Sequence, residues 1–151
     1  MSDAGKRFFE EFAIGQRFAS GTAVVTAEAI KSFAASFDPQ PFHLDEAAAR
    51  DGFFGGLAAS GWHTAAIVMR LIVESELRPA GGVIGAGVEE LRWPKAVRPG
   101  DTLRAEMEVI DVRASRSRPD IGIVKIRVTC FNQADELVQQ STPALVVRRL
   151  A

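Results

Sequence analysis

Hydrophobic and polar positions divide the chain into a first half with helical spacing and a second half with alternating spacing. Over residues 27–37 the apolar side chains recur every three or four positions after Thr26, a suitable N-cap, which predicts a helix. Over residues 60–73 almost every side chain is apolar or small, which predicts a longer helix that is buried nearly all round. A short strand at residues 19–26 and a helical turn at residues 46–50 are also predicted.

The second half has the pattern of consecutive strands. Residues 102–112 and 121–131 alternate apolar with polar side chains, and residues 83–93 and 137–149 also have strand character. Such alternation is typical of strands with one covered face and one wetter face. A buried helix followed by these strands predicts an α+β fold, in which a curved antiparallel sheet wraps around a long central helix.

The size of the chain, 151 residues, predicts a single domain over residues 1–151. Its 18 basic and 19 acidic residues give a net charge of −1, so neither nucleic acid nor a membrane is an expected partner. Cys130 is the only cysteine, which excludes an internal disulfide and a zinc site built on several cysteines. Residues 1–12 lack the apolar core of a signal peptide, and no apolar run reaches the length of a membrane span, so a soluble cytoplasmic protein is expected.

One short stretch carries the candidate chemistry. Asp38 and His43 stand five residues apart, and Pro39 and Pro41 stiffen the turn between them. A chain that bends at the prolines can point both side chains into one pocket, where carboxylate and imidazole would form an acid-base pair. Apolar neighbours should wall this pocket and, by desolvation, make the carboxylate more basic. These neighbours are Phe37, Phe42 and Leu44.

The same residues also have a structural interpretation. Asp followed by Pro commonly opens a turn, and a lone histidine after a turn is often only structural. The stretch, however, resembles the hydratase signature of the MaoC-like dehydratase and (R)-specific enoyl-CoA hydratase family, in which an Asp, a short proline-containing turn and a His have this spacing. This chain has Gln40 where that family usually has Asn, and Phe37 where it often has Gly.

The resemblance extends over about residues 12–147 and implies the hot-dog fold, with Asp38 and His43 as the catalytic pair. At the start of the predicted long helix, Gly61 matches the family's glycine whose N–H binds the thioester carbonyl. A helix N-terminus suits this role because its unpaired N–H groups stabilise negative charge. Alternatively, Gly61 merely lets the helix pack closely. The further substrate-binding residues that we expect are Phe42 and Trp62.

From the resemblance we expect a hydratase or dehydratase of fatty acid metabolism that acts on an acyl thioester, hydrating trans-2-enoyl-CoA to (R)-3-hydroxyacyl-CoA. Coenzyme A would enter as part of the substrate, and no other cofactor and no metal are expected. Because an open sheet edge exposes unpaired backbone groups, a homodimer or a dimer-based oligomer is expected, with the substrate tunnel at the interface. Two alternatives remain, a hot-dog acyl-CoA thioesterase and a non-catalytic acyl-CoA-binding module.

Several other side chains have two interpretations each. His63 either faces the pocket or bonds to nearby backbone at the helix start. Met69 stands where relatives often carry a hydroxyl, if no gap intervenes, which affects the substrate range more than the reaction type. Two basic groups are either solvated surface or clamps for the phosphates of coenzyme A. They are Arg113, Arg116 and Arg118, and Arg92, Lys95 and Arg98.

Overall fold

The structure, a computed structural model, describes residues 5–150 of the chain. Within these residues, helices dominate before the middle of the chain and strands after it, as the two spacings predict. The helices are α1 (Ala27–Phe37), α2 (Pro41–Leu44), α3 (Glu46–Arg50) and α4 (Gly61–Val73). The strands are β1 (Arg17–Val24), β2 (Gly85–Arg92), β3 (Thr102–Ala114), β4 (Ile121–Phe131) and β5 (Leu137–Arg148).

The strands form one antiparallel sheet in the order β1-β3-β4-β5-β2. In β4 and over most of β3 every second side chain is buried, which confirms the predicted alternation. The register places buried side chains of neighbouring strands opposite each other, as with Val109 and Ile126, or Val124 and Leu145. This covered face packs with α4 in one hydrophobic core, so the predicted antiparallel sheet around a central helix is confirmed.

Helix α4 is buried on one side only, which corrects the prediction that it is buried nearly all round. Leu71 and Ile72 belong to the hydrophobic core that α4 shares with the sheet. The other side carries an apolar stripe, in which Trp62 is 61%, Met69 43% and Val73 52% exposed. Helical periodicity places these three positions on one face, and a single sheet covers only the opposite face.

Helix α1 has the predicted ends. The Thr26 hydroxyl accepts a hydrogen bond from the N–H of Ala29 at 3.1 Å, which satisfies one of the free N–H groups of the first turn. The helix ends at Phe37, and Asp38 donates its N–H to the carbonyl oxygen of Ala34 at 2.8 Å. Asp38 therefore occupies the C-terminal end of α1, where the sequence places it.

Strand β2 forms one edge of the sheet, and nearly all of its side chains are exposed. Val88 in its middle is 58% exposed. The strand pairs with β5 through two shifts of register, and no strand among residues 5–150 pairs with its outer side. An exposed edge of this kind is a template for pairing with another chain.

A hydrophobic core joins the sheet to the helices within residues 5–150. Residues 1–4 and 151 of the predicted domain lie outside the described residues. Cys130 is buried in the sheet, and burial raises the pKa of its thiol to about 12. None of the helices in the described part of the chain is long and apolar enough to cross a membrane.

Candidate active site

The Asp38 and His43 side chains meet just beyond the C-terminal end of α1. Helix α2 is a single turn that begins with Pro41, because proline suits a position where no N–H bond is needed. This turn brings His43 Nε2 to 3.3 Å from Asp38 Oδ2. The imidazole is 5% exposed and the carboxylate 19% exposed, so the pair is closed to solvent on the histidine side and accessible on the aspartate side.

The backbone holds the imidazole of His43 in one orientation. Its Nδ1 lies 2.6 Å from the carbonyl oxygen of Ala58, which can only accept, so Nδ1 carries a proton and donates it. Phe42 contacts the ring edge-on, with 4.6 Å between centroids, and Phe54 lies tilted at 6.1 Å. Nε2 is therefore the nitrogen that faces Asp38.

The carboxylate of Asp38 is stabilised in its charged form. The side-chain amide of Gln40 donates to Asp38 Oδ1, and this hydrogen bond is the main reason that the pKa of Asp38 lies below its usual value. The Ser60 hydroxyl and His43 lower this pKa further, whereas partial burial raises it. The expectation of a more basic carboxylate is wrong, because hydrogen bonds to the charged form outweigh its desolvation.

The walls around the pair differ in part from those expected. Phe37 is 75% exposed and packs on Phe33, with 5.1 Å between ring centroids, so it does not wall the pocket. The last turn of α1 directs this ring outward. Phe42 and Leu44 are half-buried. Phe54, from the loop before α4, provides an apolar wall that the sequence analysis does not assign.

A pocket of about 270 Å³ adjoins His43 of the pair and reaches the N-terminus of α4, whereas Asp38 lies outside its lining. His43 and Gly61 both line it, so two of the predicted site residues share one cavity. Its other walls are Phe54, Ala59, Thr64, Trp93, Lys95, Ala96 and Val97. Among residues 5–150, no group of three His, Cys, Asp or Glu side chains is close enough together to hold a metal ion.

Gly61 begins α4 in a tightly packed environment. The first helical hydrogen bond runs from Thr64 N–H to the Ser60 carbonyl at 3.0 Å, so the N–H of Gly61 precedes the helical hydrogen bonds. A Cβ atom on Gly61 would lie 2.7 Å from the Trp93 ring. That ring is fixed by a 2.9 Å hydrogen bond from its Nε1 to Gln139. Close packing is thus observed, and Gly61 also lines the pocket.

Two further residues expected to bind substrate lie beside the pocket and outside its lining. Phe42 packs on His43 and on Phe54, with 5.3 Å between the two phenyl centroids. Trp62 is largely exposed and contacts Trp93 edge-on, with 5.3 Å between centroids. Contact of Phe42 and Trp62 with substrate stays a prediction.

Arg98 holds the loop before α4 in place. Its guanidinium donates to the carbonyl oxygens of Gly56 at 3.0 Å and Leu57 at 3.3 Å, and also to that of Phe54. These bonds position the loop whose phenyl ring packs beside His43. Arg98 is therefore engaged with backbone and is not a free cation for phosphate.

Two other predicted cations form ion pairs. Arg118, at the tip of the β3–β4 hairpin, pairs with Asp120 at 2.6 Å, and both side chains are mostly exposed. Lys95 pairs with Glu136 and also lines the pocket. Arg118 is therefore a solvated surface residue. Lys95, in contrast, lies where a ligand in the pocket could contact it.

His63 lies away from the pocket, in a groove between α4 and β1. Its ring stacks on Phe33, with 4.9 Å between centroids, and it is buried. Its Nδ1 has no hydrogen-bond partner among the residues that the structure describes. The interpretation that His63 faces the catalytic pocket is therefore wrong, and no backbone bond to its Nδ1 is observed among the described residues.

Three residues that the sequence analysis does not assign to the site shape its geometry. Gln40 stabilises the Asp38 carboxylate, Ala58 orients His43, and Trp93 packs on Gly61. The feature of the sequence that points to Gln40 is that it stands where the family usually has Asn. A backbone carbonyl such as that of Ala58 leaves no signal in a sequence, because its position depends on the fold.

Comparison with a known protein sequence gives an independent view of the whole chain. The chain is 32% identical to the uncharacterized protein YdeM of Bacillus subtilis (strain 168) over 140 residues. The aligned region covers 93% of this chain and 98% of that protein. The two chains therefore correspond over almost their full lengths.

Solved structures show the same fold. The MaoC-like dehydratase from Rhodospirillum rubrum is 56% identical, with a TM-score of 0.91 over 96% of this chain and 99% of that one. The R-hydratase PhaJ1 from Pseudomonas aeruginosa, in its unliganded form, is 27% identical, with a TM-score of 0.76 over 95% of this chain and 86% of that one. The predicted hot-dog fold is confirmed.

A family model described as MaoC like domain matches residues 10–129. The matched region includes Asp38, His43 and Gly61. It also covers most of the chain, from the first strand into β4. The chain therefore belongs to the MaoC-like domain family.

Proposed function

We propose that the protein is an acyl-thioester hydratase/dehydratase that adds water to trans-2-enoyl-CoA and gives (R)-3-hydroxyacyl-CoA. The observation that carries this proposal is the 3.3 Å approach of His43 Nε2 to Asp38 Oδ2, beside a pocket that reaches the N-terminus of α4. Membership of the MaoC-like family and similarity to an R-hydratase support the reaction class.

Adding water to a double bond conjugated with a thioester requires a base, an acid and a hydrogen-bond donor for the enolate-like oxygen. Asp38 is the proposed base, because its lowered pKa keeps it ionised near neutral pH. His43 is the proposed acid. Its two nitrogens face the Ala58 carbonyl and the Asp38 carboxylate, and an imidazolium can donate to both.

The proposed proton transfers balance over one turnover. The water oxygen bonds to C3 while Asp38 takes a water proton, and the electron pair of the C2–C3 double bond moves toward the thioester oxygen. The thioester carbonyl re-forms as His43 Nε2 gives a proton to C2. Transfer of the proton from Asp38 to His43, across 3.3 Å, restores the starting state. Dehydration follows the same steps in reverse.

The N–H of Gly61 is the proposed donor to the thioester oxygen. It lies at the start of α4, where the unpaired N–H groups and the helix dipole favour negative charge. Trp93 packs directly on this glycine and lines the same pocket. The ring can therefore fix the position of the N–H relative to His43.

A homodimer is the proposed active assembly. The β2 edge is exposed, and the apolar stripe of α4 is also exposed. A second copy of the chain could cover both surfaces by pairing the edges and packing the helices together.

A panel of enoyl-CoA thioesters tests the proposed reaction, with the loss of conjugated absorbance and the release of free thiol measured in the same samples. Hydration removes the absorbance without releasing thiol. Thiol release would instead identify a thioesterase. Binding of the thioesters without either change would identify a non-catalytic module.

A further inference from the structure

The segment just before α4 contacts both members of the proposed acid-base pair. Ala58 accepts the hydrogen bond that orients His43, with 2.6 Å between its carbonyl oxygen and Nδ1. Two residues later, the hydroxyl of Ser60 donates to the carboxylate of Asp38. Gly61 follows, begins α4 and lines the pocket that His43 also lines. One short segment therefore contacts the proposed base, the proposed acid and the pocket.

The Ser60 hydroxyl has one bond in each direction. Ser60 has no exposed surface, so its hydroxyl depends on buried partners rather than on bulk water. As the N-cap of α4, its Oγ accepts from the N–H of Trp62 at 3.3 Å. That bond uses a lone pair and leaves the hydroxyl proton to be donated. The Asp38 carboxylate receives it, because an ionised acceptor forms a stronger hydrogen bond than a neutral one.

The other contacts of the Asp38 carboxylate come from its own turn. Gln40 and His43 lie within five positions of Asp38 in the chain. A short turn can shift as a unit and carry these partners with it. Ser60 comes from a distant part of the chain and belongs to the cap of α4. It is therefore the contact that ties the carboxylate directly to the start of this helix.

We propose that Ser60 is a positioning residue for the reaction, which fixes the Asp38 carboxylate relative to the start of α4 while it caps that helix. This role rests on the proposed function, because it takes Asp38 as the base. A base must lie within hydrogen-bond reach of the water that it deprotonates, and a misplacement of about 1 Å can slow a reaction by roughly a hundredfold. Ser60 acts through the position of Asp38 and exchanges no proton with the substrate.

Position and basicity predict opposite effects when the hydroxyl is removed. The hydrogen bond stabilises the charged carboxylate, so its removal raises the pKa of Asp38. A more basic carboxylate is by itself the faster base once it is ionised. A carboxylate that has lost its position is slower even when it is ionised. The rate above the acidic limb of the pH profile, where Asp38 is ionised in every protein compared, therefore distinguishes the two effects.

Ser60→Gly removes the hydroxyl with little loss of helix capping, because glycine is also a favoured N-cap residue. With an enoyl-CoA substrate, we expect kcat above the acidic limb to fall by roughly tenfold or more, with KM little changed. The acidic limb itself should move to higher pH. Ser60→Thr retains a hydroxyl and should recover part of the lost rate.

Thr26→Gly is the matched control. Thr26 caps α1 as Ser60 caps α4, since its hydroxyl accepts from the N–H of Ala29 at 3.1 Å. It is exposed and lies at the end of α1 opposite to Asp38. This variant should keep the kcat and the acidic limb of the unchanged protein. A merely structural role of Ser60 would give both glycine variants the same pH profile.

The pKa of Asp38 can also be measured without substrate, from the ¹³C NMR signal of its carboxyl carbon, which the Asp38→Asn variant assigns. Ser60→Gly should raise this pKa, and Thr26→Gly should leave it unchanged. If Ser60→Gly does not fold, Ser60→Ala gives the same readouts with a larger loss of capping.

Two results in an active enzyme would overturn the role of Ser60 and leave the proposed function intact. One is an unchanged pKa of Asp38 in the folded glycine or alanine variant, which would mean that the hydroxyl donates elsewhere. The other is a kcat above the acidic limb that equals or exceeds that of the unchanged protein. Absence of hydration by the unchanged protein, in contrast, would overturn the proposed function and with it the role of Ser60 in the reaction.

Discussion

Gly61 and Trp93 are packed so closely that a single methyl group on Gly61 would collide with the indole. Its Cβ atom would lie 2.7 Å from both Cδ2 and Cε2 of Trp93, and Gln139 accepts the hydrogen bond that holds the ring there. The position at the start of α4 therefore requires glycine for packing, whatever its N–H does in the reaction.

Gly61→Ala should destabilise the protein by about 1–3 kcal/mol, as overpacking of a core does. In a Trp93→Leu background, Gly61→Ala should lower the free energy of unfolding much less, because the smaller leucine side chain leaves room for the methyl group. Denaturant unfolding of the four proteins in this double-mutant cycle measures the coupling. Equal costs in both backgrounds would show that the clash is relieved elsewhere.

Asp38→Asn and His43→Ala should each lower kcat by roughly two or more orders of magnitude, as expected for general acid-base groups. The double variant should lose little more, since both groups act on one water molecule. Steady-state kinetics with the best enoyl-CoA substrate, together with circular dichroism, gives the measurement. Asp51→Asn, at an exposed position after α3, is the control. Near-full activity in a folded Asp38 or His43 variant would remove that residue from the mechanism.

Gln40→Met should move the acidic limb of the kcat/KM profile to higher pH. The Gln40 amide is the largest cause of the lowered pKa of Asp38, so its removal raises that pKa. The carboxylate then becomes protonated, and the base is lost, at a higher pH than in the unchanged protein. Gln40→Asn retains an amide donor, so its acidic limb should move less than that of Gln40→Met. An unchanged acidic limb would mean that Asp38 does not control it.

The protein should sediment as a homodimer or a larger dimer-based oligomer at micromolar concentration. Met69→Glu places a charge on the exposed stripe of α4, and Val88→Lys places one on the β2 edge. Each change should shift the protein toward monomer, because burying an unpaired charge is costly. Ser117→Lys, on the exposed β3–β4 hairpin tip, should not. A monomeric unchanged protein would count against the shared interface.

The addition of water should be syn and should give the (R)-3-hydroxyacyl product. The proposed base and acid lie close together, with 3.3 Å between Asp38 Oδ2 and His43 Nε2, so the hydroxyl and the new proton should reach the same face of the double bond. The reaction in heavy water, with both new stereocentres determined, measures this. Anti addition would require a third proton donor, and an (S) product would mean that the enoyl chain lies the other way round.

Local spacing accounts for most of what could be predicted from the sequence. The bounds of α3 and β4 agree with the predicted ones, and the Thr26 cap of α1 is observed. These features depend on residues close together in the chain, where periodicity and capping are decisive. The five-residue spacing of Asp38 and His43 belongs to the same class, because one short turn connects them.

Features that depend on distant parts of the chain could not be predicted in this way. The position of His63 follows from how α1 and α4 pack against each other, because its ring stacks on Phe33 of α1. The pKa of Asp38 depends partly on Ser60, which lies far along the chain, and most on the hydrogen bond from Gln40, whose geometry the sequence leaves open. Exposure along α4 depends on how much of the helix one sheet can cover.

The three carbonyl oxygens bound by Arg98 join the segment after β2 to the loop before α4. That loop carries Phe54 beside His43 and leads directly to Ala58, whose carbonyl fixes the imidazole. Residues 38–61 contain Asp38, His43 and Gly61, but the orientation of His43 also depends on Arg98, which lies outside this segment. A chimera that receives this segment from a relative must also inherit a donor equivalent to Arg98, or the transplanted histidine loses its orientation.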